Sequence, residues 1–411
     1  MPRPPIPLLT AALLLTSATL LPAADWPQWR GPNRDDHSPD TGLLKTWPAG
    51  GPRRVWINTD VGLGYSGYSV VGPRLYTMGL RGDQELVIAV DTASGKELWN
   101  TPAGPRYPNN WGDGPRSTPT VDGGRLYALS GQGVLVCADA ESGRTVWTRS
   151  LVSDLGGELP KWGYAESVLV HENLVICTPG GDRGTMAALD KTTGAEIWRS
   201  TTLTDHAEYS SPILIRHQGR PQVVQLVMKR FFGVDPADGR VLWEQEWPGS
   251  TAVIPTPVSR DGFVYVTSGY GVGCALVELT SGAPRLVYQN KVIKNHHGGV
   301  VLVGDHLYGF AEPGWACQNF KTGKEVWLSR AFGKGAVHYA DGMLYCLSED
   351  TGEVVLAEAS PKGWKEAGRF TLEPQSTRRA SRGKIWTHPV VVNGRLYLRD
   401  QEILYCYDVK G

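Results

Sequence analysis

The stretch Val90–Trp99 reads VDTASGKELW. Taken once it is modest: an Asp, two hydroxyls, a Gly, and a Trp four residues after the Gly. It comes back, however. ADAESGRTVW ends at Trp147, LDKTTGAEIW at Trp198, VDPADGRVLW at Trp243 and NFKTGKEVW at Trp327. Two weaker copies keep the frame: VELTSGAPRLVY brings Tyr288, and AEASPKGWKEAGRF brings Phe370, to the Trp place. The spacings from Trp99 to Phe370 are 48, 51, 45, 45, 39 and 43 residues, the period of a unit of four short strands.

Each unit has an upstream half. RSTPTVDGGRLYAL, VIPTPVSRDGFVYVTS, HHGGVVLVGDHLYGF and IWTHPVVVNGRLYLRD share a short strand, a DG, GD or NG turn, and an aromatic strand. Such turns favour type I′ hairpins, whose two central residues need positive φ. The unit therefore reads as strands A to D, and the opening stretch is the end of C, the C–D turn and D. Asp91 accepts backbone N–H bonds in the turn, and Gly95 takes a conformation other residues avoid. Trp99 covers the seam to the next unit, as do Trp147, Trp198, Trp243 and Trp327 in theirs.

Eight A strands are expected, near Ser66–Val71, Arg116–Val121, Glu166–Val170, Ser210–Ile215, Pro255–Val258, Gly298–Val303, Gly335–Tyr339 and Thr387–Val392. The eighth unit lacks its own D strand. RRVWI (Arg53–Ile57), with Trp56 in the Trp place, supplies it from the other end of the chain. The predicted fold is all-β: an eight-bladed propeller of four-stranded blades, spanning 53–411 and closed by the N-terminal strand, which leaves only short, protected edges.

The 411-residue chain carries 41 basic and 41 acidic side chains. It opens with one Arg, an apolar run Leu8–Leu21 and small residues at Ala23 and Ala24. This is the pattern of a signal peptide over 1–24, and the run is short for a membrane anchor. No Cys follows it to carry a lipid, and no other stretch reads as a transmembrane segment. The mature chain has one acid more than its bases, which argues against a nucleic-acid partner. A periplasmic or secreted monomer is expected. Residues 25–52, with Trp26 and Trp29, are expected to pack on the propeller surface, partner binding being the alternative. The six Cys sit singly in apolar runs, without CxxC. They read as small hydrophobes, a hidden bridge being the alternative.

The AxDxxTGxxxW-type repeat resembles the tryptophan-docking motif of the quinoprotein (PQQ-dependent) dehydrogenase-like propellers. That superfamily includes PQQ-dependent alcohol dehydrogenases and the propeller of the outer-membrane assembly machinery. DWPQWRGPNR (Asp25–Arg34) and LYLRDQEILYCYDVK are similar to a bacterial secreted PQQ-binding-like group, some of whose members are polyvinyl alcohol dehydrogenases. In propellers ligands meet the mouth of the central channel. Aligning the units puts Tyr65, Arg116, Ala165, Tyr209, Ile254, His297, Lys334 and Trp386 at one position ahead of the A strands, with Glu166 and Ser210 one further on. Arg116, Glu166, His297, Lys334 and the aromatics Tyr65, Tyr209 and Trp386 are the candidate ligand-binding ring.

No catalytic residue can be assigned. His296 and His297 in KNHHGG are adjacent; neighbours on a strand face opposite ways and no third ligand has metal-site spacing, so a polar channel-mouth loop is favoured over a metal site. Ser210 and Ser211 in HAEYSS lack a nucleophile elbow. The loop NNWGDGPR offers Trp111 to the mouth. The resemblance implies two functions. One is a binding or assembly scaffold, without cofactor or metal, for a protein or polysaccharide of the bacterial envelope. The other is a periplasmic PQQ- and Ca²⁺-dependent dehydrogenase of the polyvinyl alcohol type. The large enzymes of that kind carry a vicinal disulfide, acidic and Asn ligands for Ca²⁺, and an Asp base. This chain has no adjacent Cys and no haem-binding CxxCH, so the scaffold is the favoured reading.

Overall fold

A computed structural model of the protein describes residue 1 and residues 24–411; the rest of the expected signal peptide lies outside the described residues. Eight antiparallel four-stranded sheets follow one another along the chain. Blade 1 consists of Ser69–Val71, Arg74–Arg81, Gln84–Asp91 and Glu97–Pro105. Blades 2 to 7 cover 120–150, 169–199, 213–246, 258–290, 300–329 and 335–371. Blade 8 takes its three inner strands from 390–408 and its outer strand from Arg53–Asn58, which pairs with Ile403–Asp408. The described residues form an all-β, eight-bladed propeller, closed as the sequence predicts.

The seams explain the repeat. A Cβ on Gly95 would lie 2.5 Å from the Trp56 ring, on Gly143 2.6 Å from Trp99, on Gly194 2.8 Å from Trp147, and on Gly239 2.3 Å from Trp198. Tyr288 lies on Gly323, and Phe370 on Gly51, in the same way. Each of these glycines also has positive φ. The turn glycine is thus required twice, by its own backbone and by the neighbour's ring. Trp56, Trp147 and Trp198 further donate Nε1–H to carbonyls of the next blade's turn, at Thr92, Lys191 and Pro236. The turn Asp works locally: Asp91 accepts from the Ser94 hydroxyl (2.6 Å) and amide (2.8 Å), and these bonds hold its carboxyl below the ordinary range.

One regularity was not visible as a motif. In seven of the eight blades the C–D register shifts immediately before the docking aromatic, and in blade 7 it shifts before Gly368, two residues ahead of Phe370. In blade 1 Trp99 faces Ala89 while Glu97 faces Val90, so Leu98 is the extra residue of a β-bulge. The bulge turns Leu98, Ile197 and Val326 to solvent and aims the aromatic at the seam. All six Cys are buried and unbridged. The turns Gly123-Gly124, Asp261-Gly262 and Asn393-Gly394 have positive φ at both central residues, whereas in Gly304-Asp305 only Gly304 does.

Most A strands start later than expected, at Thr120 and Leu169 in place of Arg116 and Glu166, but that of blade 7 starts at Gly335 as expected. The residues ahead of them pair across blades. The Ser66 hydroxyl donates to Ser117 O, the Thr118 amide to Ser167 Oγ, the Ser167 amide to Ser211 Oγ, and the Ser210 hydroxyl to Pro255 O. Ser210 and Ser211 are therefore buried rivets of the inner ring.

Where the sequence reading puts residues 25–52 on the surface, 26–38 run inside the channel. Trp26 exchanges both backbone bonds with Val70 of blade 1, and Pro27 O accepts from Val121 of blade 2. Arg34 donates to Ser167 O and Val168 O of blade 3 and Pro212 O of blade 4. Trp29 Nε1 donates to Thr256 Oγ1 of blade 5, and Arg30 Nη2 to Val300 O of blade 6. His37–Ser38 adds a parallel strand to blade 7, and Trp29 meets His388 of blade 8 edge-on at 4.7 Å. Buried Asp36 sits beside Arg30 and accepts from His338 Nδ1; burial pushes its carboxyl up, but these partners outweigh that and hold it below the ordinary range. Further on, Trp47 packs on Tyr345 and Phe370 over the outside of blade 7.

The double demand on the seam glycine has a measurable consequence. Gly82, in the B–C hairpin of blade 1, has φ +58° but open space around it. Gly82→Ala is expected to cost about 1 kcal/mol, and Gly95→Ala about 3 kcal/mol or more because the Trp56 ring must also move; denaturant midpoints of the two variants measure the difference.

Candidate functional site

Just above this plug the channel widens into a cavity of about 200 Å³. Its wall is built where the sequence alignment placed the ring: Tyr65, Arg116, Ala165, Tyr209, Ile254, His297 and Trp386, seven of the eight positions, all line it. They converge because each precedes an inner strand by three or four residues, where the chain arrives at the axis.

Two predicted residues are not in the lining. The Glu166 side chain points into the protein, accepting from the Thr178 amide (2.5 Å) and Gln225 Nε2 (3.3 Å). It follows the lining residue Ala165 on an extended segment, so alternation turns it away. Lys334 turns toward the blade 6–blade 7 seam, where it meets Glu349 at 3.2 Å and donates to His296 Nδ1 at 2.6 Å. His296 takes its place at the cavity. His296 and His297 lie outside any strand. They form the channel-mouth loop the sequence suggests, with rings 3.8 Å apart and both lining the cavity. Asn295 beside them is a brace, bonded to Gly299 N and O and to Phe310 O.

Several lining residues carry no repeat signal. Trp29 and Arg30 come up from the plug, Trp162 and Tyr270 from neighbouring loops, and His388 from blade 8. Trp111, from the NNWGDGPR loop, stands 6.3 Å from Trp386 and is partly exposed. The Tyr65 hydroxyl donates to Trp111 O and pins that loop. On the far wall Trp162 packs against Tyr209 at 5.7 Å. One face of Trp386 is covered by His297, stacked at 4.6 Å, and Tyr65 is 4.9 Å away.

The electrostatics are one-sided. Arg116 lies over the rings of Tyr65 (5.6 Å) and Tyr107 (5.1 Å). Its Nη atoms donate to Gly112 O and Gly114 O, and burial lowers its pKa. The histidines are held neutral: burial brings His388 down to about 4, and burial with Lys334 brings His296 to about 3. Among the described residues no carboxylate side chain lines the cavity. The acids stand one layer behind, bonded to amides: Glu85 to Gly131 and Tyr107, Glu166 to Thr178, Glu208 to Val253. Burial pushes each of the three up to about 7.

The residues do not fit PQQ with calcium. That cofactor is a flat tricarboxylate. Here Trp386 has one face taken, Lys334 is paired away, and no acidic group reaches the cavity to hold a cation. Among the described residues no group of three His, Cys, Asp or Glu has metal-binding geometry.

Residues 83–329, more than half of the chain, match the family model described as outer membrane protein assembly factor BamB. The chain belongs to that family. It is 27% identical over 191 residues to BamB of Burkholderia pseudomallei, so the match spans 45% of this chain and only 45% of that curated relative. Among solved structures it is similar to BamB from Moraxella catarrhalis (TM-score 0.63, 17% identity, covering 87% of this chain and 97% of that one). It is equally similar in fold to a quinohemoprotein alcohol dehydrogenase from Comamonas testosteroni (TM-score 0.63, 12% identity, 94% and 81%). At these identities the structural likeness is one of fold, which does not carry chemistry.

The buried glutamates make stability pH-dependent. A carboxyl raised from its ordinary 4.5 to about 7 contributes its full stability below about pH 4.5 and loses it as pH rises through 7. Glu166→Gln keeps an acceptor for Thr178 and removes the charge. Relative to wild type, its unfolding free energy is expected to gain about 2–3 kcal/mol between about pH 4.5 and pH 8, measured as the difference of denaturation curves at each pH.

Proposed function

We propose that this BamB-family chain is a non-catalytic scaffold of the bacterial envelope, exported by its N-terminal segment, that docks a protein partner on the face where the aromatic cavity opens. The observation that carries this reading is the makeup of the cavity: aromatic walls, the Arg116 guanidinium bonded to the Gly112 and Gly114 carbonyls, neutral histidines, and a floor supplied by the chain's own plug. Oxidation of an alcohol needs a base to accept the hydroxyl proton, and no carboxylate side chain stands in the lining while the histidines are braced by packing and by Lys334. Family membership supports the same direction. Trp111 and Tyr270, large apolar groups exposed at this rim, supply the kind of anchors that protein interfaces use.

The test is a titration of the purified mature protein with PQQ, with and without Ca²⁺, read by tryptophan fluorescence alongside dye-linked alcohol oxidation. The scaffold reading predicts no Ca²⁺-dependent saturable quenching and no dye reduction. Saturable quenching accompanied by dye reduction overturns it in favour of a quinoprotein dehydrogenase.

A further inference from the structure

The cavity presents rings rather than polar groups. Seven Trp and Tyr side chains line it. The hydroxyls of Ser167 and Ser211 accept from amides of the inner ring, Thr256 Oγ1 accepts from Trp29, and the Tyr65 hydroxyl donates to Trp111 O. Arg116 donates from both Nη atoms to Gly112 O and Gly114 O. At about 200 Å³ the space is smaller than the roughly 300–1,000 Å³ of a drug-sized site and suits a single side chain. An aromatic side chain packs edge-on or offset against such walls, asks them for no hydrogen bond, and is the commonest anchor of protein interfaces.

The mouth adds a charge pattern. Arg382 lies 5.9 Å over the Trp111 ring, and Lys161 lies 4.8 Å over the Trp162 ring. Both cations are exposed, as is Arg378 in the same loop as Arg382. Among the described residues none of the three has a carboxylate within salt-bridge distance. Neighbouring acids are engaged: Asp113 with Arg106, Glu158 with His206, Asp350 with Lys384 and Asp400 with Arg379. The loops entering blades 8, 2 and 3 thus form a positive arc beside the aromatic walls. Glu312, near Tyr270, belongs to blade 6 and lies outside that arc. Negative charge on a partner is steered to such an arc and selected by it.

We propose that the cavity receives one aromatic side chain of a protein partner, presented within an acidic segment whose carboxylates meet the arc of Arg378, Arg382 and Lys161. The ring packs on the aromatic walls, and the flanking carboxylates stay at the solvated rim. A lysine or arginine in the ring's place is disfavoured, since Arg116 stands in the wall and, among the described residues, no carboxylate side chain does. The proposal rests on the scaffold reading and gives that partner its chemistry.

The test titrates the mature protein with three peptides, read by calorimetry and tryptophan fluorescence: acetyl-Gly-Asp-Asp-Phe-Asp-Asp-Gly-amide, the same peptide with Ala for Phe, and the same peptide with Lys for each Asp. The acidic Phe peptide is expected to saturate at about 1 mM or below, at least about tenfold tighter than either control, and to weaken as salt rises from about 0.05 to about 0.5 M. The double variant Lys161→Gln with Arg382→Gln changes two exposed side chains and is expected to weaken it about tenfold. Trp111→Ala, at a partly exposed ring, is expected to remove the difference between the Phe and Ala peptides. Absence of saturable binding of the acidic Phe peptide, equal binding of either control, or binding unchanged in either variant protein would each overturn the proposal. None of these outcomes touches the scaffold reading, which falls instead to PQQ-dependent dye reduction.

Discussion

The Arg34 guanidinium, donating to three backbone carbonyls on two blades, closes a ring that would otherwise be open at its axis. Eight blades leave a channel lined by the first residues of the inner strands, whose backbone groups point inward and need partners. The N-terminal segment supplies them blade by blade, through the Trp26 backbone, Arg30, Arg34 and the His37–Ser38 strand. Burial drags Arg34 down to about 9, so it stays charged at neutral pH without a carboxylate of its own to bond. Such a group is tolerated because three carbonyls converge on it.

The character of the cavity follows from that plug. A channel filled from below is left with a bowl, and Trp29 and Arg30 make its floor. Around the bowl, the residues that reach the axis are those just ahead of each inner strand, and the next residue along turns inward. This alternation puts rings and Arg116 in the wall and Glu166 one layer back. The buried glutamates are bonded to amides where chains turn, so they brace the loops that hold the aromatics. The result is a pocket with cationic and hydrogen-bonding character but no acid.

The fold was legible because its constraint repeats. Six of the eight seams set an aromatic on a positive-φ glycine, so VDTASGKELW recurs, and even Tyr288 and Phe370 could be placed by period alone. Two seams depart from the rule: no ring lies on Gly282, and Trp327 Nε1 bonds Ser360 O in a turn without that glycine contact. The cavity wall was legible for the same reason, since a repeat that fixes the strands also fixes what precedes them. What does not repeat stayed hidden. The plug occurs once and its partners are backbone carbonyls, which leave no trace in side-chain pattern. Trp162 and Tyr270 sit in loops of individual length. Lys334 could be assigned to the ring by register but not by direction, because Glu349 and His296, remote in sequence, decide where it points. His296 and His297 were legible as a channel-mouth loop, but not the close approach of their rings.

The central claim is that residues 26–38 are a structural part of the propeller axis, and amide hydrogen exchange of the intact protein tests it most directly. The account predicts that the Trp26 amide, bonded to Val70 O, and the Asp36 amide, bonded to Arg30 O within the plug, exchange as slowly as those of the inner strands at Val70, Val121 and Tyr339, whose amides donate to Trp26 O, Pro27 O and Asp36 O. Exchange of this segment at the rate of the exposed hairpin turns, with the inner strands still protected, would contradict it.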